Sequence, residues 1–411
     1  MTWQQNVTGW GRLRRKILVA LLVLSLAGVL TPAASLAVPQ DYEYLRLLAE
    51  ALHEISTKYV WQKSEKGMLQ GALRGMVNSL DPDSSYLSAP EYKEFQAGQK
   101  GPRAEAGLEL VMKDNLLTVV SVLDGGPADR AGLKPGDHIL KIDGKLMRNL
   151  TTQEGVRRFQ GSAGTKLKVQ ALRNNMVKPL DLTIILEPMG PGKVSSQVIQ
   201  DHYEYIRVPF FTDNTPRELG DVLKQARRKA AFKGVILDLR NNARGTMEQA
   251  VRTGGVWLGE KEIVVTKGRT GDEERFVGKG REQAVRQPFP TVILVDQGTA
   301  RAAEILAAAL HDHDAGWLLG TKTFGLCGLT KVFPLEDGSA LVMTVAQCYT
   351  PKGVKITGKG LDPDVAAKTP EGAEAAAKPP KTLPPDQDPW VFQAVEVLKA
   401  GKPTRVAQSD D

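Results

Sequence analysis

Four consecutive residues, His311-Asp312-His313-Asp314, carry the imidazole and carboxylate groups that transition metals take from proteins. Two imidazoles at i and i+2 on a helix end diverge, so the quartet reads as an exposed polar helix terminus and no metal is expected. The chain has two cysteines, Cys327 and Cys348, and the stretch between them is centred on Asp337-Gly338, a two-residue hairpin turn signal. With Glu336 facing Ser339, counting outward brings Cys327 opposite Cys348 in a non-hydrogen-bonded pair. The Cα separation of such a pair, roughly 4.5 Å, is compatible with a disulfide. A bulge in between would spoil that register and leave two buried thiols. As a nucleophile Cys327 lacks any histidine placed by a motif to activate it. Serine chemistry is also thin, because no serine lies between Ser196 and Ser339.

The elements that must position these residues fall into blocks. Over 41–99 the pattern is helical: Leu45, Leu48, Ala49, Leu52 and Ile55 recur at three and four, as do Met68, Leu69, Ala72, Leu73, Met76 and Val77. Turn chemistry at 79–87 then ends the period in an ordered loop. Residues 102–188 change to short β-branched strands, including Leu116–Val122 and Lys166–Leu172, separated by glycine turns at Asp124-Gly125-Gly126-Pro127 and Lys134-Pro135-Gly136-Asp137. Over 194–368 strands and helices alternate, which points to an α/β layer: strands at 203–208, 234–239 and 291–295, helices at 216–230, 246–258 and 300–311. Residues 369–389 are rich in Ala, Pro, Lys and Glu and read as a linker. A last helix at 390–400 carries the apolar stripe Val391, Ala394, Val395 and Leu398.

The first 37 residues read as a secretory signal peptide. Arg12, Arg14, Arg15 and Lys16 precede the apolar run Ile17 to Leu30, which is short for a membrane span, and Ser35-Leu36-Ala37 is a small-x-small cleavage site. The expected location is the periplasm or cell envelope; an uncleaved signal would instead anchor the chain. Removing those four basic side chains lowers the formal net charge from +7 to +3. Without a basic stripe interleaved with aromatics, nucleic acid is not an expected partner. Export also makes a disulfide chemically permissible.

Seven motifs occur in order along the chain: Ser-Leu-Asp-Pro-x-Ser-Ser-Tyr-Leu at 79–87, Gly-Pro-Ala-x-x-Ala-Gly-Leu-Lys-Pro-Gly-Asp-x-Ile at 126–139, Asp-Leu-Arg-Asn-Asn at 238–242, Thr-Phe-Gly at 323–325, Asp-Gly-Ser-Ala-Leu at 337–341, Tyr-Thr-Pro-x-Gly at 349–353 and Gly-Lys-Gly-Leu-Asp-Pro-Asp at 358–364. Together they resemble the carboxyl-terminal processing (tail-specific) peptidases over nearly the whole mature chain. The resemblance implies an α/β multidomain protein: an N-terminal helical region, a β-rich PDZ domain and an α/β protease-like domain. It also implies a Ser/Lys dyad with no metal or other cofactor. In such a dyad a desolvated neutral lysine serves as base for an otherwise weak serine nucleophile.

Aligned on Glu304-Ile305, the family's serine position holds Arg301, and 25 residues on, after Thr323-Phe324-Gly325, the lysine position holds Leu326. The family glutamine four residues further is Thr330. The Asn-Pro-Gly-Gly turn that helps form the family's oxyanion hole reads Asn242-Ala243-Arg244-Gly245. Arg301 cannot be deprotonated, so it is no base. Thr299 and Lys322 stand two and four residues from the lost positions, offsets that aim their side chains elsewhere.

In the PDZ domain, Gly107-Leu108-Glu109-Leu110 matches the family's carboxylate-binding loop and following strand, and the helix near 153–160 is expected to offer Val156 and Phe159 to the groove. The expectation is therefore an exported pseudopeptidase that binds protein C-terminal tails, envelope proteins or an active paralogue. The rival expectations are a serine-type endopeptidase with displaced catalytic groups, and a structural envelope protein whose PDZ merely joins domains.

Overall fold

The computed structural model describes residues 40–97, 104–148, 150–173, 176–190, 192–279, 289–368 and 383–401. The expected signal segment, and residues 369–382 of the expected linker, lie outside the described residues. The chain divides into two compact units, residues 1–69 and 70–411. Described elements of the first are α1 (Gln40–Lys58) and the opening of α2 (Glu65–Asn78).

In the second unit, the turn-rich stretch after α2 is built around Asp81, whose carboxylate accepts the Asp83 and Ser84 amides and both the Ser84 and Thr344 hydroxyls. It does not stay a loop. Residues Ser85–Leu87 (β1) add antiparallel to Ala340–Tyr349 (β19), pairing Ser85 with Val342. Helix α3 (Ala89–Ala97) follows.

The β-rich module consists of β2 (Ala104–Glu105), β3 (Leu108–Lys113), β4 (Leu116–Val122), α4 (Pro127–Ala131), β5 (His138–Ile142), β6 (Lys145–Leu146), α5 (Thr152–Arg158), β7 (Gln160–Gly161), β8 (Lys166–Leu172), β9 (Leu180–Ile185) and β10 (Glu187–Pro188). Its main sheet runs β3-β4-β5-β8-β9, with β6 on β5. Helix α5 starts at a capping box, Thr151 with Glu154, which satisfies two otherwise orphan amides. Along β3 the side chains alternate as the pleat requires. Leu108, Leu110 and Met112 enter the module's core, while Glu109 and Val111 face the α/β domain.

That domain has a six-stranded sheet, β11 (Ser195–Ile199), β12 (Tyr203–Arg207), β13 (Gly234–Asp238), β16 (Thr291–Val295), β17 (Trp317–Gly320) and β20 (Val365–Ala366), parallel from β12 onward. A parallel sheet needs helices on both faces, and the sequence of β13 is apolar on both. Val235 and Leu237 join the core formed with α6 (Thr215–Arg227), α7 (Met247–Leu258) and α8 (Ala302–Asp312). Ile236 points the other way, into the stripe of α9 (Pro389–Ala400): Val391, Ala394, Val395 and Leu398. A second sheet orders β1, β19, β14 (Glu262–Gly268) and β15 (Glu273–Val277), with β18 (Gly328–Pro334) also on β19.

The β18–β19 hairpin corrects the expected register. Leu335 and Ser339 close a three-residue loop in which Gly338 takes φ +80, a left-handed conformation that costs glycine little. Near the turn Pro334 therefore pairs with Ala340, one residue out of the expected register. A bulge at Leu329/Thr330 removes the offset, so Gly328 meets Gln347, and Cys327 and Cys348 are disulfide-bonded with Cα atoms 5.7 Å apart. The two irregularities cancel.

The acidic and histidine quartet is not an exposed terminus either. His311 bridges Asp312 (3.3 Å) and Asp364 (3.1 Å), Asp312 is buried, and His313 Nε2 lies 2.7 Å from the Glu262 carbonyl. Hydrogen bonds to Asp312 and Asp364 push His311 up from 6.5 to about 9. A raised imidazole supplies stability that is complete below its ordinary value and disappears as pH climbs through about 9. His311→Asn should lower the melting temperature by roughly 2 °C at pH 6 and by less at pH 10. An equal deficit at both pH values would remove the charged role.

Candidate functional site

The segment from β16 to α8 is a strand, a sharp turn and a helix. Asp296 holds the turn: its carboxylate accepts the Asn241 and Gly298 amides, and Thr299 Oγ1 donates to the Leu239 carbonyl at 2.9 Å. Thr299 is fully buried and its hydroxyl is engaged, so it is not presented to the cleft. Arg301, the N-cap residue of α8, sits at φ +54, ψ −120, a conformation that costs a non-glycine residue on the order of 1–3 kcal/mol. Its amide donates to the carbonyl of Leu326 at 2.9 Å. The structure thus brings residues 301 and 326 side by side across 25 residues of sequence.

Neither side chain is free. The Arg301 guanidinium pairs with Asp83 at 2.6 Å. Leu326, only 5% exposed, belongs to a buried apolar cluster with Ala243, Ala300 and the β-module residues Val111 and Val120. Its amide is held by Glu304, which also takes the Gly325 amide and the Thr323 hydroxyl. Burial pushes Glu304 up to about 7 against these hydrogen bonds. Lys322 pairs with Asp362 at the exposed surface, and Thr330 is exposed on β18. Neither joins the constellation.

Arg244 does, in a role the sequence did not indicate. Its Nη1 donates to Glu105 at 2.8 Å and its Nε to Glu109 at 2.7 Å, both on the β-rich module. Burial opposes its charge, yet the two carboxylates hold Arg244 above its ordinary value. Beside it, Asn241 places its side-chain amide against the backbone of Val122, accepting from the amide at 2.7 Å and donating to the carbonyl. Arg207 adds a bond to Asp124 at 2.5 Å. The module is seated on the 241–245 turn and on Leu326. A cleft of about 770 Å³ remains beside the seat, lined by Asp81, Asp83, Met112, Lys113, Phe324 and Leu326 among others.

The expected groove residues are not all where the motif put them. Gly107, Leu108 and Glu109 line a small cavity against Phe210, Asn241 and Arg244. Leu108 and Leu110 are buried in the module's core, and Val156 packs partly buried against it. Phe159 is a correction: α5 ends at Arg158, so Phe159 turns inward as the C-cap residue, is 2% exposed, and its carbonyl accepts the Ala106 amide. It is a core residue. On the neighbouring edge of β3, the Met112 amide already donates to Thr152 Oγ1 at 2.9 Å.

Comparison with known proteins agrees with this architecture. Residues 202–367 match the model of peptidase family S41, and residues 105–184 match a PDZ domain. The chain is 34% identical to a carboxy-terminal-processing protease of Bartonella bacilliformis, covering 85% of this chain and 83% of that one. It is 33% identical to the carboxy-terminal processing protease CtpA of Bacillus subtilis, covering 80% and 70%. Among solved structures it is similar to a photosystem II D1 C-terminal processing protease, with 25% identity, TM-score 0.66 and coverage of 78% and 92%. With its PDZ domain, its S41 domain and relatives matched over most of their length, the chain belongs to the carboxy-terminal processing protease family.

Proposed function

We propose that this member of the family is an exported pseudopeptidase that binds protein C-termini or partner proteins through its PDZ domain. The observation that carries the reading is the state of residues 301 and 326. Their backbones are hydrogen-bonded neighbours, yet one side chain is a guanidinium neutralised by Asp83 and the other an isobutyl group packed under the PDZ domain. Neither can ionise to a nucleophile or serve as a base. The presence of Arg244 in the 242–245 turn supports the same reading, because a guanidinium bonded to two glutamates there fixes the PDZ domain instead of leaving the turn open to a substrate carbonyl. Export rests on the basic and apolar pattern of residues 1–37.

Two measurements test this. Purified protein incubated with an unfolded substrate bearing an apolar C-terminus should leave it intact; sustained cleavage by a contaminant-free preparation would establish a displaced active site instead. Peptides ending in a free carboxylate should bind, and their C-terminally amidated forms should not. Seating and ligand capture compete for the Gly107–Glu109 loop, so Arg244→Ala should tighten free-carboxylate binding about fivefold, as expected when a competent state is populated more often. Equal weak binding of both peptides would leave the PDZ domain a mere structural joint.

A further inference from the structure

Five charged side chains alternate in sign between the PDZ domain and the C-terminal helix. Asp124, just after β4, accepts from Arg207, whose Nη1 lies 3.7 Å from Asp238. Arg240 grips Asp238 through Nε at 3.0 Å and Nη2 at 2.6 Å, and the same Nη2 donates to Asp388 at 2.7 Å. Asp388 is the N-cap residue of α9, with its other oxygen on the Trp390 amide, and the Trp390 ring lies against the Arg240 guanidinium, 5.3 Å from its centroid. Asp238 and Asp388 are wholly buried and Arg240 nearly so. Three acids face two arginines, with the Tyr205 hydroxyl also donating to Asp238 at 2.7 Å, so removing any one partner leaves a buried charge poorly compensated.

Position in the chain gives this network a direction. Arg240 immediately precedes the turn whose Asn241 and Arg244 hold the PDZ domain. The helix therefore bonds to the residue that leads into the turn, and the PDZ domain to the turn itself. We infer that docking of the C-terminal helix and seating of the PDZ domain are one cooperative unit, joined through Arg240 and the turn that follows it, so that releasing the helix releases the domain. An element of this kind would let a partner that captures the C-terminal helix free the PDZ groove without touching it. The coupling requires reciprocity: loosening the PDZ seat must loosen the helix by the same factor.

Amide exchange in the full-length protein reads both ends. The Val122 amide reports seating, because it donates to Asn241, and segment 391–398 reports the helix. Asp388→Asn keeps the shape of the side chain and removes its charge. It should speed exchange at 391–398 and of the Val122 amide about tenfold each, while β8 and β9 stay protected and show the PDZ domain folded. Asp124→Asn should produce the reciprocal pair of changes. Trp390→Ala serves as a second way to loosen the helix. A helix loosened by either variant with the Val122 amide unchanged or better protected overturns the inference. So does a result in which neither variant loosens the helix, because Asp388 and Trp390 would then not hold the dock.

Discussion

Arg301→Ser combined with Leu326→Lys should give this protein a peptidase activity above that of the unsubstituted chain. The two positions that the resemblance gives to a Ser/Lys pair are backbone neighbours: a strained N-cap position at the head of α8, hydrogen-bonded through its amide to the carbonyl of residue 326. Loss of a nucleophile costs on the order of a million-fold in turnover, so recovery of even a small fraction is measurable. Two features of the site will hold the double variant well below an ordinary enzyme. Asp83, freed of Arg301, becomes the counter-ion of the introduced lysine and keeps it protonated, whereas a general base must be neutral. Activity should therefore rise with pH, and adding Asp83→Asn should move that rise to lower pH. Arg244 is the second obstacle. A misformed oxyanion site costs about 10²–10³ in rate, so Arg244→Gly added to the pair should raise turnover by up to that factor. Cleavage of an unfolded protein and labelling of the introduced serine by a serine-directed phosphonate are the readouts. A parent protein that cleaves as fast as the variants would end the pseudopeptidase reading. A folded variant that no probe labels would show that residues 301 and 326 do not face each other as a dyad must.

The sequence carried the elements well and their contacts poorly, for reasons that differ residue by residue. Parallel strands such as Gly234–Asp238 are buried on both faces and read as apolar runs, and α7 announces itself by the capping box of Thr246 and Gln249. Residues 79–87 read as a loop because their turn residues dominate the local pattern. Only pairing with β19, more than 250 residues away, makes Ser85–Leu87 a strand, and long-range pairing leaves no mark on local periodicity. The cysteines pair because a one-residue shift at the turn is reversed by the bulge at Leu329/Thr330, two irregularities that hairpin counting does not separate. Helical spacing carried one residue past Arg158 puts Phe159 on the groove, whereas the helix ends before it. Arg244 and Leu326 were visible as departures from a motif, but their present work was not: a motif says what a position has lost, and only the neighbouring domain shows what it has gained. The pairing of Arg301 with Asp83 was hidden for the same reason, since Asp83 fills the variable position of its own motif.

Leu326→Asp should unseat the PDZ domain while leaving both domains folded. Leu326 shares a buried apolar cluster with Val111 and Val120 of the PDZ sheet and with Ala243 and Ala300. Its backbone amide is already taken by Glu304, whose buried carboxyl is itself pushed up to about 7. A carboxylate placed there would be stripped of water beside a group that resists ionisation for the same reason, at a cost of about 3–5 kcal/mol. That exceeds what the polar side of the seat can offset. The Arg244 pairs are partly exposed, and such bonds contribute about 1 kcal/mol or less each. The apolar patch must therefore decide whether the seat holds, with Arg244 and Asn241 fixing its register. Leu326→Asp should consequently speed exchange of the Val122 amide by more than a hundredfold, against about thirtyfold or less for Arg244→Ala. It should also expose the Gly107–Glu109 loop and tighten free-carboxylate peptide binding beyond the gain from Arg244→Ala. The opposite ranking, with Arg244→Ala the more disruptive, would mean that charge and not burial holds the domains together. Unchanged Val122 protection in a folded Leu326→Asp protein would mean that the PDZ domain is seated by contacts other than this cluster.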